Sequence, residues 1–147
     1  MKTKTIITEL TQEDLVDLLC TATYGSSWLN IYANDREGIV VEEKDCREDI
    51  WAKCLLAGKK ITCVDYYAEG EHYGPIEDYT FGKEDEECEY QVGLQDIING
   101  LQKCADGLAG SWCRTCFGHF AEGEGNLDLT EAEMLVQIIL FDELIYG

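Results

Sequence analysis

The fold is decided by the stretch Ile61-Thr62-Cys63-Val64-Asp65-Tyr66-Tyr67. β-branched and aromatic residues dominate it, which is typical of a strand on a pleated sheet surface. A glycine- and proline-containing turn follows over residues 70–75, and residues 76–81 alternate like a returning strand. A charged turn over 83–87 then leads into a third strand through residues 90–92. This succession predicts an antiparallel meander of three strands.

Helical patterns flank these strands. A capping box opens the first helix, and apolar residues at helical spacing predict helices over about 11–25, 45–58, 94–104 and from about 128 onward. The segment 108–126 is rich in glycine and is predicted to be a long loop.

A short strand is predicted over residues 3–8, and residues 26–32 fit either a strand or a loop. We therefore expect an α+β fold, a single domain over residues 1–147, with an antiparallel three- to four-stranded sheet and about four packed helices.

The charge of the chain excludes several classes of function. It holds 30 acidic and 11 basic residues, a net charge of −19. Such a field repels nucleic acid and anionic lipid, because affinity for phosphates comes mostly from Lys and Arg. No run of sequence approaches the roughly 18 apolar residues of a membrane span, and residues 1–9 lack the apolar region of a signal peptide. We expect a cytoplasmic protein that binds neither nucleic acid nor membrane.

The negative charge is concentrated in residues 61–100, which hold 11 acidic residues and 1 basic residue. Carboxylates here are expected to project from hairpin tips and one sheet face. They form either a solvated surface or one that imitates a nucleic-acid backbone, since B-DNA carries about one charge per 1.7 Å of its axis. The candidate partner-binding residues are Asp65, Glu69, Glu71, Glu77, Asp78, Glu84, Asp85, Glu86, Glu87 and Glu89.

One segment has the spacing of a metal site. Cys113 and Cys116 form a Cys-x-x-Cys motif three residues before His119, a set that can bind zinc, with Cys104 as the nearest fourth ligand. The second half of a usual zinc motif is missing. We therefore expect no cofactor, with zinc as the alternative. Redox catalysis by the same pair would need a helix directly after Cys113, where the sequence predicts a loop.

The two ends of the chain resemble a known family. Residues 15–22, then Gly25 and Trp28, are similar to the opening of a family of small acidic, mostly uncharacterised proteins carried by bacteriophages, prophages and conjugative elements of gut bacteria. Residues 128–147 are similar to that family's ending. The resemblance maps no catalytic residue onto this sequence. It implies an accessory protein of a mobile element, expressed inside a bacterial host cell.

Three functions fit these observations. Signature motifs of the common enzyme classes are absent from the sequence, and we expect a non-enzymatic protein. The first function is an anti-CRISPR or anti-restriction inhibitor whose acidic surface occupies the basic nucleic-acid groove of a CRISPR effector or restriction enzyme. The second is a binding module that sequesters a nucleotide immune signal, with Arg36, Arg47 or Arg114 facing inward to meet phosphates. The third is an acidic structural or interaction domain.

Overall fold

The computed structural model describes residues 6–82, 86–123 and 125–147. Within them the chain forms five helices and a four-stranded antiparallel sheet in one compact domain, which confirms the predicted α+β class with one helix more than expected. None of these helices combines the length and the apolar character that a membrane crossing needs. In chain order the elements are α1 (Gln12–Gly25), β1 (Leu29–Tyr32), α2 (Arg47–Leu56), β2 (Ile61–Asp65), β3 (Tyr79–Phe81), β4 (Cys88–Val92), α3 (Leu94–Ala105), α4 (Ser111–Glu122) and α5 (Leu129–Phe141).

The strands are not ordered as a meander. Their order across the sheet is β1-β2-β4-β3, so β4 lies between β2 and β3. The predicted antiparallel pairing of β3 with β4 is present, whereas the predicted pairing of β2 with β3 is wrong. The reason is burial. β4 alternates strictly between buried and half-buried side chains, as a central strand with one covered face does, whereas β3 has three residues, two of them exposed, and suits an edge.

The first part of the chain differs in two further places. Residues 29–32 form a strand, which settles the alternative left open by the sequence. Residues 6–8 of the predicted first strand belong to no strand, and its residues 3–5 lie outside the described part of the chain.

Helices cover one face of the sheet. α5 packs against α1, α3 and α4, and α2 packs against α1. The crossing of α3 and α5 is close: a Cβ added at Gly100 would lie 2.6 Å from the Cα of Ile139. A single hydrophobic core unites these helices with the inward-facing residues of the strands, among them Ile61, Cys63 and Tyr90.

The segment predicted to be a long glycine-rich loop contains α4, so the prediction of a loop over 108–126 is wrong. Cys113, Cys116 and Phe120 recur at helical spacing and are buried on one face of the helix. Gly110 and Gly123, both with positive φ, bracket the helix rather than interrupt it. The number of glycines favoured a loop in the sequence analysis, although the apolar residues of this segment recur at helical spacing.

Candidate partner-binding surface

Two turns meet at one end of the sheet and bring acidic residues together. The turn after β2 and the turn before β4 are joined by a hydrogen bond of 2.8 Å from the Glu69 amide to the Glu86 carbonyl. Glu69, Glu71 and Glu86 are exposed, and Glu87 is half-buried beside them. We call these four residues the acidic sheet end. Sequence-predicted residues Glu84 and Asp85 lie outside the described residues.

Local backbone geometry fixes this arrangement. Glu69 adopts a left-handed φ of 51° and Gly70 follows with a φ of 78°, which reverses the chain tightly after β2. The Tyr73 hydroxyl donates to the Glu71 carboxylate at 2.9 Å. Hydrogen bonds therefore hold the carboxylates of Glu69 and Glu71 in place within the long connection between β2 and β3.

The remaining predicted acidic residues do not join this group. Glu77 and Asp78 are exposed and precede β3, so the whole of that strand separates them from the acidic sheet end. Asp78 is neutralised by Lys60, whose Nζ lies 2.9 Å from its carboxylate. Glu89 is half-buried within β4. The acidic residues predicted to form one partner-binding surface therefore do not form a single continuous patch.

Asp65 was predicted to be a surface residue, and this prediction is wrong. It is 0% exposed and faces the core at the end of β2. Its carboxylate accepts from the Tyr146 hydroxyl at 2.9 and 2.8 Å and from the Tyr67 amide at 3.0 Å. Burial raises the pKa of Asp65, although these hydrogen bonds act in the opposite direction. Side chains alternate along a strand, so Asp65 lies on the same face of β2 as Ile61 and Cys63. This alternation is the sequence signal that indicates the burial of Asp65.

The acidic sheet end has no basic partner among the residues that the structure describes. No Lys or Arg there forms an ion pair with Glu69, Glu71, Glu86 or Glu87, or with Glu89. Electrostatic repulsion among uncompensated carboxylates favours a cationic partner. The ion pairs lie elsewhere and are Lys44–Glu42, Arg47–Glu48, Lys53–Asp45, Lys59–Asp35, Lys60–Asp78 and Lys103–Asp142.

The cysteines of the predicted zinc site are buried between α3 and α4. Cys104 and Cys113 are joined by a hydrogen bond, and burial raises the pKa values of Cys104 and Cys116 to about 12, which keeps both thiols protonated. His119 is engaged instead by the carboxylate of Glu131 on α5. In the described ranges, no three His, Cys, Asp or Glu side chains are placed to hold one metal ion.

The arginines expected to converge on a nucleotide do not do so. Arg36 donates to the Ala33 carbonyl at 2.8 Å, Arg47 lies over the ring of Trp51 at 5.2 Å, and Arg114 is exposed on α4. They belong to three different segments. The groove of about 900 Å³ between α1 and the segment before α2 is lined by none of them and is rich in carboxylates. The expectation of inward-facing arginines is therefore wrong.

The chain matches no protein-family model, no curated protein and no solved structure.

Proposed function

We propose that the protein is a non-enzymatic inhibitor that occupies the basic nucleic-acid groove of a host CRISPR effector or restriction enzyme. One observation carries the proposal: the acidic sheet end presents exposed carboxylates without a basic partner among the described residues, whereas six carboxylates elsewhere in the fold are paired with Lys or Arg. The resemblance of the chain's two ends to proteins of phages and other mobile elements supports an anti-defence role, which would be exerted in the bacterial cytoplasm.

The closeness of two acidic turns supports imitation of a nucleic-acid backbone. The turn after β2 and the turn before β4 bring Glu69 and Glu86 into direct backbone contact at one end of the sheet. Phosphates likewise place negative charges close together along a DNA strand. Because the turns are hydrogen-bonded to each other, little conformational entropy is lost when the surface binds.

The proposal predicts steep salt dependence. A groove evolved for phosphates would attract this surface at long range, and that attraction weakens as added salt shortens the Debye length. The protein would compete with nucleic acid for the groove without binding nucleic acid itself, because its net charge is −19.

A capture experiment with two charge-reversed variants tests the proposal. The first variant carries Glu69→Lys, Glu71→Lys and Glu86→Lys. The control carries Glu9→Lys, Glu43→Lys and Glu122→Lys, which change the net charge equally at exposed positions outside the sheet. Each tagged protein is incubated with lysate of a gut bacterium that encodes CRISPR and restriction systems, and the captured proteins are identified and assayed for nuclease activity.

Wild type and control should capture and inhibit a nuclease, and duplex DNA should displace it. Capture should fall between about 50 mM and about 500 mM salt, and the sheet-end variant should capture none. Equal capture by the sheet-end variant, or capture that DNA does not displace, would overturn the proposal.

A further inference from the structure

The sheet has a second face that the helices do not use. Pairing of Cys63 with Tyr90 and of Ile61 with Val92 defines the face that enters the core, so the alternate residues point the other way. None of those alternate residues belongs to the hydrophobic core. We call this the open sheet face; its residues are Asn30, Tyr32, Thr62, Val64, Tyr66, Thr80, Glu87, Glu89 and Gln91.

A hydrogen-bonded group of three side chains lies at the β1 edge of this face. The Asn30 side-chain amide donates to the Tyr32 hydroxyl at 2.8 Å and to the Tyr66 hydroxyl at 3.2 Å. The two hydroxyls are themselves 3.2 Å apart. Val64, which pairs with Asn30, is only 2% exposed although it faces away from the core. The network fixes the two phenol rings beside buried Val64, and Tyr32 remains 45% exposed.

The charged groups of the open sheet face are all acidic. Glu89 lies beside Val64 in the register and Glu87 lies two residues before it on the same side of β4. The hydrogen bond with Tyr66 raises the pKa of the Tyr32 hydroxyl, and the negative charge of Glu87 adds to this effect. Within the described residues, no Lys or Arg pairs with either glutamate. A second copy of the chain would bring like charge to this face and is not its occupant.

We propose that the open sheet face binds arginine side chains of the protein partner, with Tyr32 as the ring on which a guanidinium stacks and Glu87 and Glu89 as its carboxylate acceptors. A guanidinium is planar, carries five donors, pairs with carboxylates in a bidentate manner and stacks on aromatic faces, whereas an ammonium is a hydrated point charge. Tyr32 on β1 and the glutamates at β4 lie on the same face of the sheet, with β2 between them. This inference rests on the proposed function and names the partner chemistry that the acidic surface recognises.

Two synthetic peptides of equal length and charge serve as probes. One alternates glycine with arginine and the other glycine with lysine, and calorimetry measures their affinities for the full chain at constant salt. We expect the arginine peptide to bind about fivefold more tightly, because this is the gain in affinity that stacking of a cation on a partly exposed ring provides. Tyr32→Leu and Glu89→Gln should bring this ratio close to one. The matched controls are Tyr24→Leu, a tyrosine 72% exposed on α1, and Glu122→Gln on α4; both should keep the ratio.

The outcomes separate the two proposals. Equal affinity of the two peptides for wild type, or a preference that survives Tyr32→Leu, overturns arginine recognition on this face. If DNA-displaceable capture by the acidic sheet end persists in that case, the proposed function stands alone. If the arginine preference is present but capture is insensitive to the sheet-end reversal, the proposed function fails and the arginine site remains. Circular dichroism of each variant confirms that the fold is retained.

Discussion

Replacement of Gly100 by alanine should destabilise the protein, against the usual preference of helices for alanine. Gly100 lies within α3, and an alanine Cβ would be 2.6 Å from both the Cα and the Cγ1 of Ile139 on α5. Carbon atoms prefer separations of about 3.5–4.0 Å, so the two helices must move apart by roughly 1 Å. Overpacking of this kind costs about 1–3 kcal/mol, and because the contact is with backbone we expect the upper end.

The gain in helix propensity from glycine to alanine is about 1 kcal/mol, which leaves a net loss of about 2 kcal/mol. For a chain of this size that loss lowers the midpoint of thermal unfolding by about 4–8 °C. The matched control is Gly118→Ala within α4, where an added Cβ meets nothing within 4 Å. It should raise the midpoint by about 2–4 °C. Thermal unfolding followed by circular dichroism measures both, and shifts of the same sign would refute the close approach of α3 and α5.

Three further predictions concern stability. Tyr146→Phe removes the hydroxyl that donates to both oxygens of buried Asp65. The free energy of unfolding should fall by about 2–3 kcal/mol at neutral pH. Urea titration measures this loss, and an unchanged midpoint of urea unfolding would contradict the prediction. Since burial raises the pKa of Asp65 in the folded state, its stabilising contribution is complete below its unfolded pKa and diminishes as pH rises through the folded value. Asp65→Asn should therefore flatten the decline in stability from acidic to neutral pH, and parallel pH profiles of variant and wild type would count against this reasoning. Thr11→Ala removes the oxygen that accepts from the Asp14 amide at 3.1 Å and should cost about 1 kcal/mol, whereas Thr11→Ser should cost little.

Local patterns predicted most elements but not their spatial order. The β-branched run over 61–65 identified β2, and the capping box at Thr11 fixed the start of α1, because both signals are contained within a few residues. Placement of β4 beside β2 depends on which strands can bury a full face, and this is settled by the helices that pack on them. Which strand takes the central position depends on residues far apart in the chain, so the sequence of a single segment does not predict it.

The sequence predicts which residues make the candidate surface acidic, but it does not predict how the fold arranges them. A dense block of carboxylates indicated an acidic region, yet the contact between Glu69 and Glu86 that assembles the sheet end joins residues from two separate turns. Asp65 was misassigned because a donor from Tyr146, 81 positions away, makes its burial tolerable. The tyrosines of the open sheet face gave no separate signal, since aromatic residues in strands usually belong to a core.

The short edge strand β3 has a consequence for behaviour at high concentration. A three-residue edge that ends beside the acidic sheet end offers few unpaired backbone groups to an incoming strand, and a strand from a second copy of the chain would meet repulsion there. The acidic groups therefore also disfavour strand-to-strand aggregation at this exposed edge of the sheet.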